Sequence, residues 1–310
     1  MKRLAIALLF MGAAQAFAGL SSASRGTSAA TFLTLGGGAR GAAMAGAQTA
    51  AADGAFALQW NPAAIANAPG VDVELEHASW FESVDYNVAA AVVPTFQGQA
   101  AGVSVQQLNY GDLTKRDDSG YDQGNFTPKD LSAALAWGFH VGDYAWGVSG
   151  KVVRSEIVSS AQTAAADIGL LSPDKEGHHW GLAVSNVGGR LKYDSKSESL
   201  PLLVSAGASQ RWKRFLFAGD LKFPRDNNAY VALGAEGSVG LGGAWEGVGR
   251  VGYSSRTQGG AGGLSGFSIG AGLRAGWFAF DYAFEPFDDL GSIQLFSLSL
   301  RGGGSRVNPD

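Results

Sequence analysis

Trp277-Phe278-Ala279-Phe280-Asp281-Tyr282-Ala283-Phe284-Glu285 reads as two interleaved lists. Successive side chains of an extended strand point to opposite faces, so Phe278, Phe280, Tyr282 and Phe284 share one side. Ala279, Asp281, Ala283 and Glu285 share the other. A bulky aromatic face backed by a small and acidic one suits a strand with lipid on one side and a lumen on the other. The alternation continues outward from this stretch. Phe296, Leu298 and Leu300 oppose Leu295, Ser297, Ser299 and Arg301, and Leu135, Trp137 and Phe139 oppose Ala134, Ala136, Gly138 and His140. Phe215, Phe217, Leu221 and Phe223 likewise oppose Arg214, Asp220 and Lys222.

Segments of this kind begin near Val71, Val84, Gln99, Lys129, Tyr144, Thr163, Gly177, Leu200, Lys213, Asn228, Ala244, Leu264, Trp277 and Ser292. They predict an all-β fold, an antiparallel transmembrane β-barrel of about fourteen strands over residues 70–302. Short links around Pro94, Val141, Ser172, Arg211, Gly240 and Ala275 alternate with longer polar loops at Tyr110–Pro128, Glu156–Gln162, Gly188–Ser199, Ser254–Gly263 and Glu285–Gly291. Outer-membrane barrels show that rhythm, with short periplasmic turns and long external loops. The links near Phe81 and Arg225 are short where the rhythm asks for a longer one. Trp80, Trp146, Trp180, Trp212, Trp245 and Trp277 fall at or near the predicted strand ends, as an aromatic girdle at the two membrane interfaces would require.

Composition agrees with this reading and removes others. Charged residues make up 16% of the chain and 46% is apolar, so there is ample surface to bury and the chain is not a disordered one. The net charge of −4 comes without a basic stretch dense enough for nucleic acid. With no cysteine, disulfide and thiol chemistry are excluded. Lys2 and Arg3, the apolar run Leu4 to Met11 and Ala16-Phe17-Ala18 read as a signal peptide over residues 1–18, which predicts export and cleavage near Ala18.

Residues 19–69 are dense in Ala, Gly, Ser and Thr and lack strand alternation, so they are expected to form a short helical hatch inside the barrel. A helix is expected over Ala39 to Ala52, stopped by Asp53-Gly54. In Trp60-Asn61-Pro62-Ala63, Asn61 can cap a helix whose first residue is Pro62, where the missing N–H costs nothing. Phe32, Leu33, Phe56 and Leu58 are the candidates for a hatch pocket, with packing against the wall as their plainer use. Asp167, Asp220, Lys222, Glu236, Arg250, Arg274 and Asp281 lie opposite the apolar stripes and are expected to face the lumen. There they would pair with one another or with the hatch. Residues 303–310 are read as a disordered polar tail.

The run from Gly38-Ala39-Arg40 to Trp60-Asn61-Pro62-Ala63 resembles the N-terminal signature of PorV/PorQ-like outer-membrane proteins, a branch of the fourteen-stranded FadL-like barrels. Ala165 to Leu171 resembles the family's mid-barrel strand, and Asp281 to Phe287 with Ser297 to Arg301 its last hairpin. The chain departs from the family pattern where Arg301 runs into Gly302-Gly303-Gly304 instead of ending on an aromatic residue. The resemblance implies a non-enzymatic barrel in the outer membrane of a diderm bacterium, with membrane lipid around it. It would dock or shuttle secreted cargo or secretion-system proteins. The alternative it implies is a FadL-like channel for hydrophobic small molecules.

Several motifs fail on context. Gly36-x-Gly38-x-x-Gly41 matches a dinucleotide fingerprint but follows no strand and has no acidic residue at the required distance. Gly266-x-Ser268-x-Gly270 matches a nucleophile elbow but sits within an alternating strand. His77 and His140 belong to different strands, and the adjacent His178 and His179 must point apart. Asp117-Asp118 lacks the spaced carboxylates of a calcium loop. No catalytic group, cofactor or metal is expected from these residues.

Overall fold

The computed structural model describes residues 26–80, 83–96, 98–157, 159–193, 196–257, 265–287 and 291–302. The expected signal peptide and the tail after Gly302 lie outside the described residues, as does Phe81.

The barrel strands are β1 (Val71–Ser79), β2 (Asp85–Pro94) and β3 (Ala100–Asn109), followed after a small hairpin by β6 (Lys129–Val141), β7 (Tyr144–Glu156), β8 (Ser160–Leu171) and β9 (His178–Gly188). A second hairpin leads to β12 (Leu203–Trp212), β13 (Phe215–Pro224), β14 (Tyr230–Gly242), β15 (Trp245–Ser254), β16 (Phe267–Ala275), β17 (Phe278–Pro286) and β18 (Ser292–Gly302). Each pairs with its sequence neighbour, and β1 pairs with β18, giving a closed antiparallel barrel of fourteen strands. The closing register runs from Val71 opposite Gly302 to Ser79 opposite Gln294. Closure leaves no strand edge unpaired, which is what a sheet in lipid needs, since no water is present to satisfy a free edge.

The two small hairpins are β4 (Leu113–Arg116) with β5 (Asp122–Phe126), and β10 (Arg190–Tyr193) with β11 (Lys196–Ser199). Both occupy stretches expected to be plain loops. In the first, the Asp117 carboxylate accepts from the amides of Ser119 and Tyr121, each at 2.9 Å, which closes the turn between the paired strands. In the second, Leu191 is fully buried.

Alternation along each barrel strand separates two surfaces. Leu75, Val105, Leu135, Val152, Phe217, Leu233, Ile269 and Phe280 stand exposed on the outer wall. Glu76, Gln106, Ser149, Asp220, Glu236, Arg250 and Asp281 are buried on the inner one. An apolar outside and a polar inside invert the soluble pattern and define a lipid-facing belt.

The described residues before β1, 26–70, fill the lumen. They comprise a 3-10 turn at Thr31–Thr34, helix α1 (Ala39–Ala43), helix α2 (Ala57–Trp60) and a 3-10 helix at Pro62–Asn67. The helix expected over Ala39 to Ala52 thus stops after its first turns. Ala45 and Gly46 take left-handed backbone conformations, with φ of 52° and 77°, which no α-helix continues through. Beyond them the amides of Gln48 and Thr49 are taken by the wall carboxylate of Asp220, each at 3.0 Å, instead of by helical carbonyls. The second helix starts as expected, with Pro62 in its first turn and the Asn61 side chain accepting from the Ala63 amide at 3.1 Å.

This inner segment spans the barrel lengthwise. Ser28 bridges to Ser199 of β11 at the end carrying the long loops, and the segment leaves into Val71 at the end carrying the short turns. Strand glycines let its backbone approach the wall. A Cβ at Gly147 of β7 would overlap the Pro62 carbonyl carbon, and one at Gly169 of β8 would overlap the Asn61 side chain.

Candidate functional site

The segment is tied to the wall mostly by carboxylates of the barrel receiving its amides. Glu74 accepts from Phe56 N at 2.6 Å, Glu76 accepts from Gly38 N, and Asp220 accepts from Gln48 N, Thr49 N and Thr49 Oγ1. A buried carboxylate needs donors, and an irregular segment has amides to spare, so each satisfies the other. Asn61 adds a two-sided tie: its Nδ2 donates to Thr49 O at 2.7 Å and to Leu170 O of β8 at 3.2 Å.

A charged cluster forms where α1 meets β14 to β17. Arg40 bridges Glu236 at 2.8 Å and Asp53 at 3.3 Å. Arg250 bridges Glu236 at 2.8 Å and Asp281 at 2.7 Å, and Arg274 reaches Glu236 at 3.3 Å. Burial works against the Arg40 charge, but Asp53 and Glu236 outweigh it and hold the guanidinium above its ordinary range. Asp167 sits apart at the bulge where β9 slips against β8. It accepts from Asn186 N at 2.7 Å and Ser149 Oγ at 2.6 Å, with Lys151 Nζ at 2.8 Å. Lys222 donates to Gly46 O at 2.6 Å and lies 3.7 Å from Asp220. All seven charges named from the sequence therefore point inward, but they form separate groups. Asp72, Glu74, Arg40 and Arg301 belong to the same interior and were missed. The alternation Val71-Asp72-Val73-Glu74-Leu75-Glu76 carried the signal for the two acids.

Two cavities flank the segment. The outer one, about 280 Å³, opens at the long-loop end between the segment, β2 and β13 to β18. Its walls are mainly apolar and aromatic, from Leu35, Trp60, Trp80, Phe267, Phe287 and Leu295, with Lys222, Arg256 and Glu285 set among them. Arg256 lies 5.8 Å from the Tyr230 ring and donates to Thr34 Oγ1 at 3.4 Å. The inner one, about 30 Å³, is lined by the charged side chains of Arg40, Asp53, Glu74, Asp281 and Arg301 together with Phe56 and Trp60.

Phe32, Leu33, Phe56 and Leu58, the residues expected at a hatch pocket, do not line either cavity together. All four are buried, but Phe32, Leu33 and Leu58 line neither cavity; they fasten the segment to the wall, as where Leu58 meets Gly102 of β3. Phe56 borders the small inner cavity. The girdle is also one-sided. Trp146, Trp180, Trp212, Trp245 and Trp277 gather at the short-turn end, where Trp180, Trp212, Trp245 and Trp277 are exposed. Trp80, at the long-loop end, turns inward over the outer cavity instead of toward lipid, because its neighbours there are apolar plug and strand residues.

The rejected motifs have structural uses. Ser268 lies within β16 and its hydroxyl donates to Ala43 O at 3.0 Å. The four histidines have separate partners: Asn87 for His77, Gly98 and Asn67 for His140, Gln210 for His178, and Ser172 for His179. Among the described residues, no three His, Cys, Asp or Glu side chains are grouped to hold a metal ion.

No protein family model and no curated protein sequence matches the chain. Its shape does have relatives. The toluene transporter TbuX of Ralstonia pickettii superposes with a TM-score of 0.60 at 14% identity, covering 86% of this chain and 98% of that one. The toluene transporter TodX of Pseudomonas putida gives 0.58 at 11% identity, covering 85% and 96%. A FadL homologue of Pseudomonas aeruginosa gives 0.52 at 12% identity, covering 84% and 97%. The barrel has the FadL-like fold. At these identities the likeness concerns architecture, and it matches the FadL-like barrels over nearly their whole length. Two of these neighbours are named as toluene transporters.

Proposed function

We propose that this chain is an outer-membrane channel that admits hydrophobic small molecules, and that residues 19–69 act as its hatch. One observation carries the reading. A roomy, mainly apolar cavity sits beside the inner segment and opens at the long-loop end, which faces outward in a barrel of this kind. Its volume of about 280 Å³ suits a single ring or a short chain. The fold is shared with proteins named as toluene transporters, which supports the same substrate class. In this reading residues 1–18 direct export and are removed near Ala18.

Cargo docking, the role implied by the PorV/PorQ resemblance, draws no support from the fold comparison. Structures that share the fold include two named as toluene transporters.

The test is uptake of labelled toluene by cells whose own hydrocarbon channels are deleted, with and without the full chain in the outer membrane. Faster uptake is expected with the chain. Leu295→Trp, which fills the outer cavity, is expected to abolish the gain. Uptake no faster than in cells without the chain would defeat the reading.

A further inference from the structure

The run Gly36-Gly37-Gly38-Ala39-Arg40-Gly41, whose spacing imitates a nucleotide-binding loop, has another use in this fold. A Cβ at Gly36 would fall within the Trp60 indole, and one at Gly41 would lie 2.8 Å from its Cζ2. The indole Nε1 donates to Gly37 O at 2.8 Å, and the Lys222 ammonium lies 4.9 Å from the ring centroid. The ring is therefore seated in a socket that exists because side chains are absent from it, and a cation beside it favours its face.

Trp60 is also the single residue that lines both cavities. The outer cavity reaches the long-loop end past the exposed Arg256. The inner one reaches toward the short-turn end, where the Asp53 side chain stays 39% exposed and that of Arg301 20%.

We infer that Trp60 is the septum of the lumen: its indole, held by the glycine socket, separates the outer cavity from the inner one and sets the width of the route past the hatch. The inference rests on the channel reading and adds the residue at which permeation is decided. A flat apolar molecule can slide along an indole face, whereas a hydrated ion cannot pass a closed apolar contact without shedding its water. The barrel is thus closed to ions at rest because of one side chain.

The test uses the full chain in planar lipid bilayers bathed in potassium chloride. Heat-modifiable migration on gels verifies that each variant is folded. The wild-type protein is expected to be nearly silent, and Trp60→Ala is expected to raise ion conductance by about tenfold or more. Gly41→Ala supplies a second approach, because its added methyl would press on the Trp60 ring, 2.8 Å from Cζ2. It is expected to raise conductance by a smaller factor, and it decides the matter if Trp60→Ala does not fold. Folded variants with wild-type conductance would overturn the septum. Toluene uptake by the wild type without an ion leak in either folded variant would overturn the septum alone. An ion leak in the variants without toluene uptake by the wild type would overturn the channel reading and support the septum.

Discussion

Arg40 of the inner segment and Glu236 of β14 meet at 2.8 Å, and the same carboxylate oxygen receives Arg250 at 2.8 Å. With Arg274 also at 3.3 Å, one oxygen of Glu236 serves three guanidinium groups. Asp53, Asp281 and Glu246 add further negative charge through Arg40, Arg250 and Arg274, so Glu236 is the one carboxylate that joins all three cations. Such a group is costly to break, since removing one partner strands buried charge.

Glu236→Ala is therefore expected to destabilise the protein by about 3–5 kcal/mol. Urea unfolding in lipid vesicles would measure it. Adding Arg40→Met to that variant is expected to recover part of the loss, and strict additivity of the two changes would show that they are not coupled.

Asp220→Ala removes the acceptor of three hydrogen bonds from Gln48 and Thr49. Charge-assisted bonds of this kind each contribute about 1.5–3 kcal/mol. Faster amide exchange at Gln48 and Thr49 is expected, with exchange in the barrel strands unchanged. Equal acceleration throughout would mean that Asp220 supports the barrel as a whole.

Gly147→Val is expected to expel Pro62 and Ala63 from the wall, because even the first carbon of the new side chain overlaps their backbone. Gly150, on the same strand, has open space where its Cβ would stand. Gly150→Val should leave proteolysis of the inner segment as in the wild type, while Gly147→Val exposes it. Identical digestion patterns for the two variants would contradict the close contact at Gly147.

Leu135 stands 71% exposed at the centre of β6, in the outer belt. Leu135→Arg is expected to cost about 2–4 kcal/mol in a bilayer, as cations do near the midplane of a barrel. The same substitution at Leu113, on the small hairpin β4, should cost little, and similar losses at both sites would misplace the belt.

The barrel was legible in the sequence because each strand is asked two opposite questions, by lipid and by lumen, at alternate residues. Phe278, Phe280 and Tyr282 against Ala279, Asp281 and Ala283 answer both at once. The inner segment was less legible, since its shape depends on partners far away in sequence. Nothing local to Gln48 announces that its amide will be captured by Asp220 instead of continuing a helix from Ala39. The four apolar residues singled out as a pocket followed hydrophobicity alone, and hydrophobicity does not distinguish a wall contact from a cavity lining. The cavity was drawn instead by residues distributed across seven strands and the segment. Trp80 followed the same logic: its position at a strand end was readable, but the side to which its indole turned was set by neighbours on other strands.

The bridge between Ser28 and Ser199 at one rim, and the exit into Val71 at the other, make the inner segment a thread through a ring. The ring is closed by the hydrogen bonds between β1 and β18. A thread in that position cannot be dislodged sideways. Either one end is drawn along the entire bore, or the seam between the first and last strands is opened. Hatch movement and hatch removal are accordingly different problems: the first needs only rearrangement within the bore, and the second meets a topological barrier that no single side-chain contact creates.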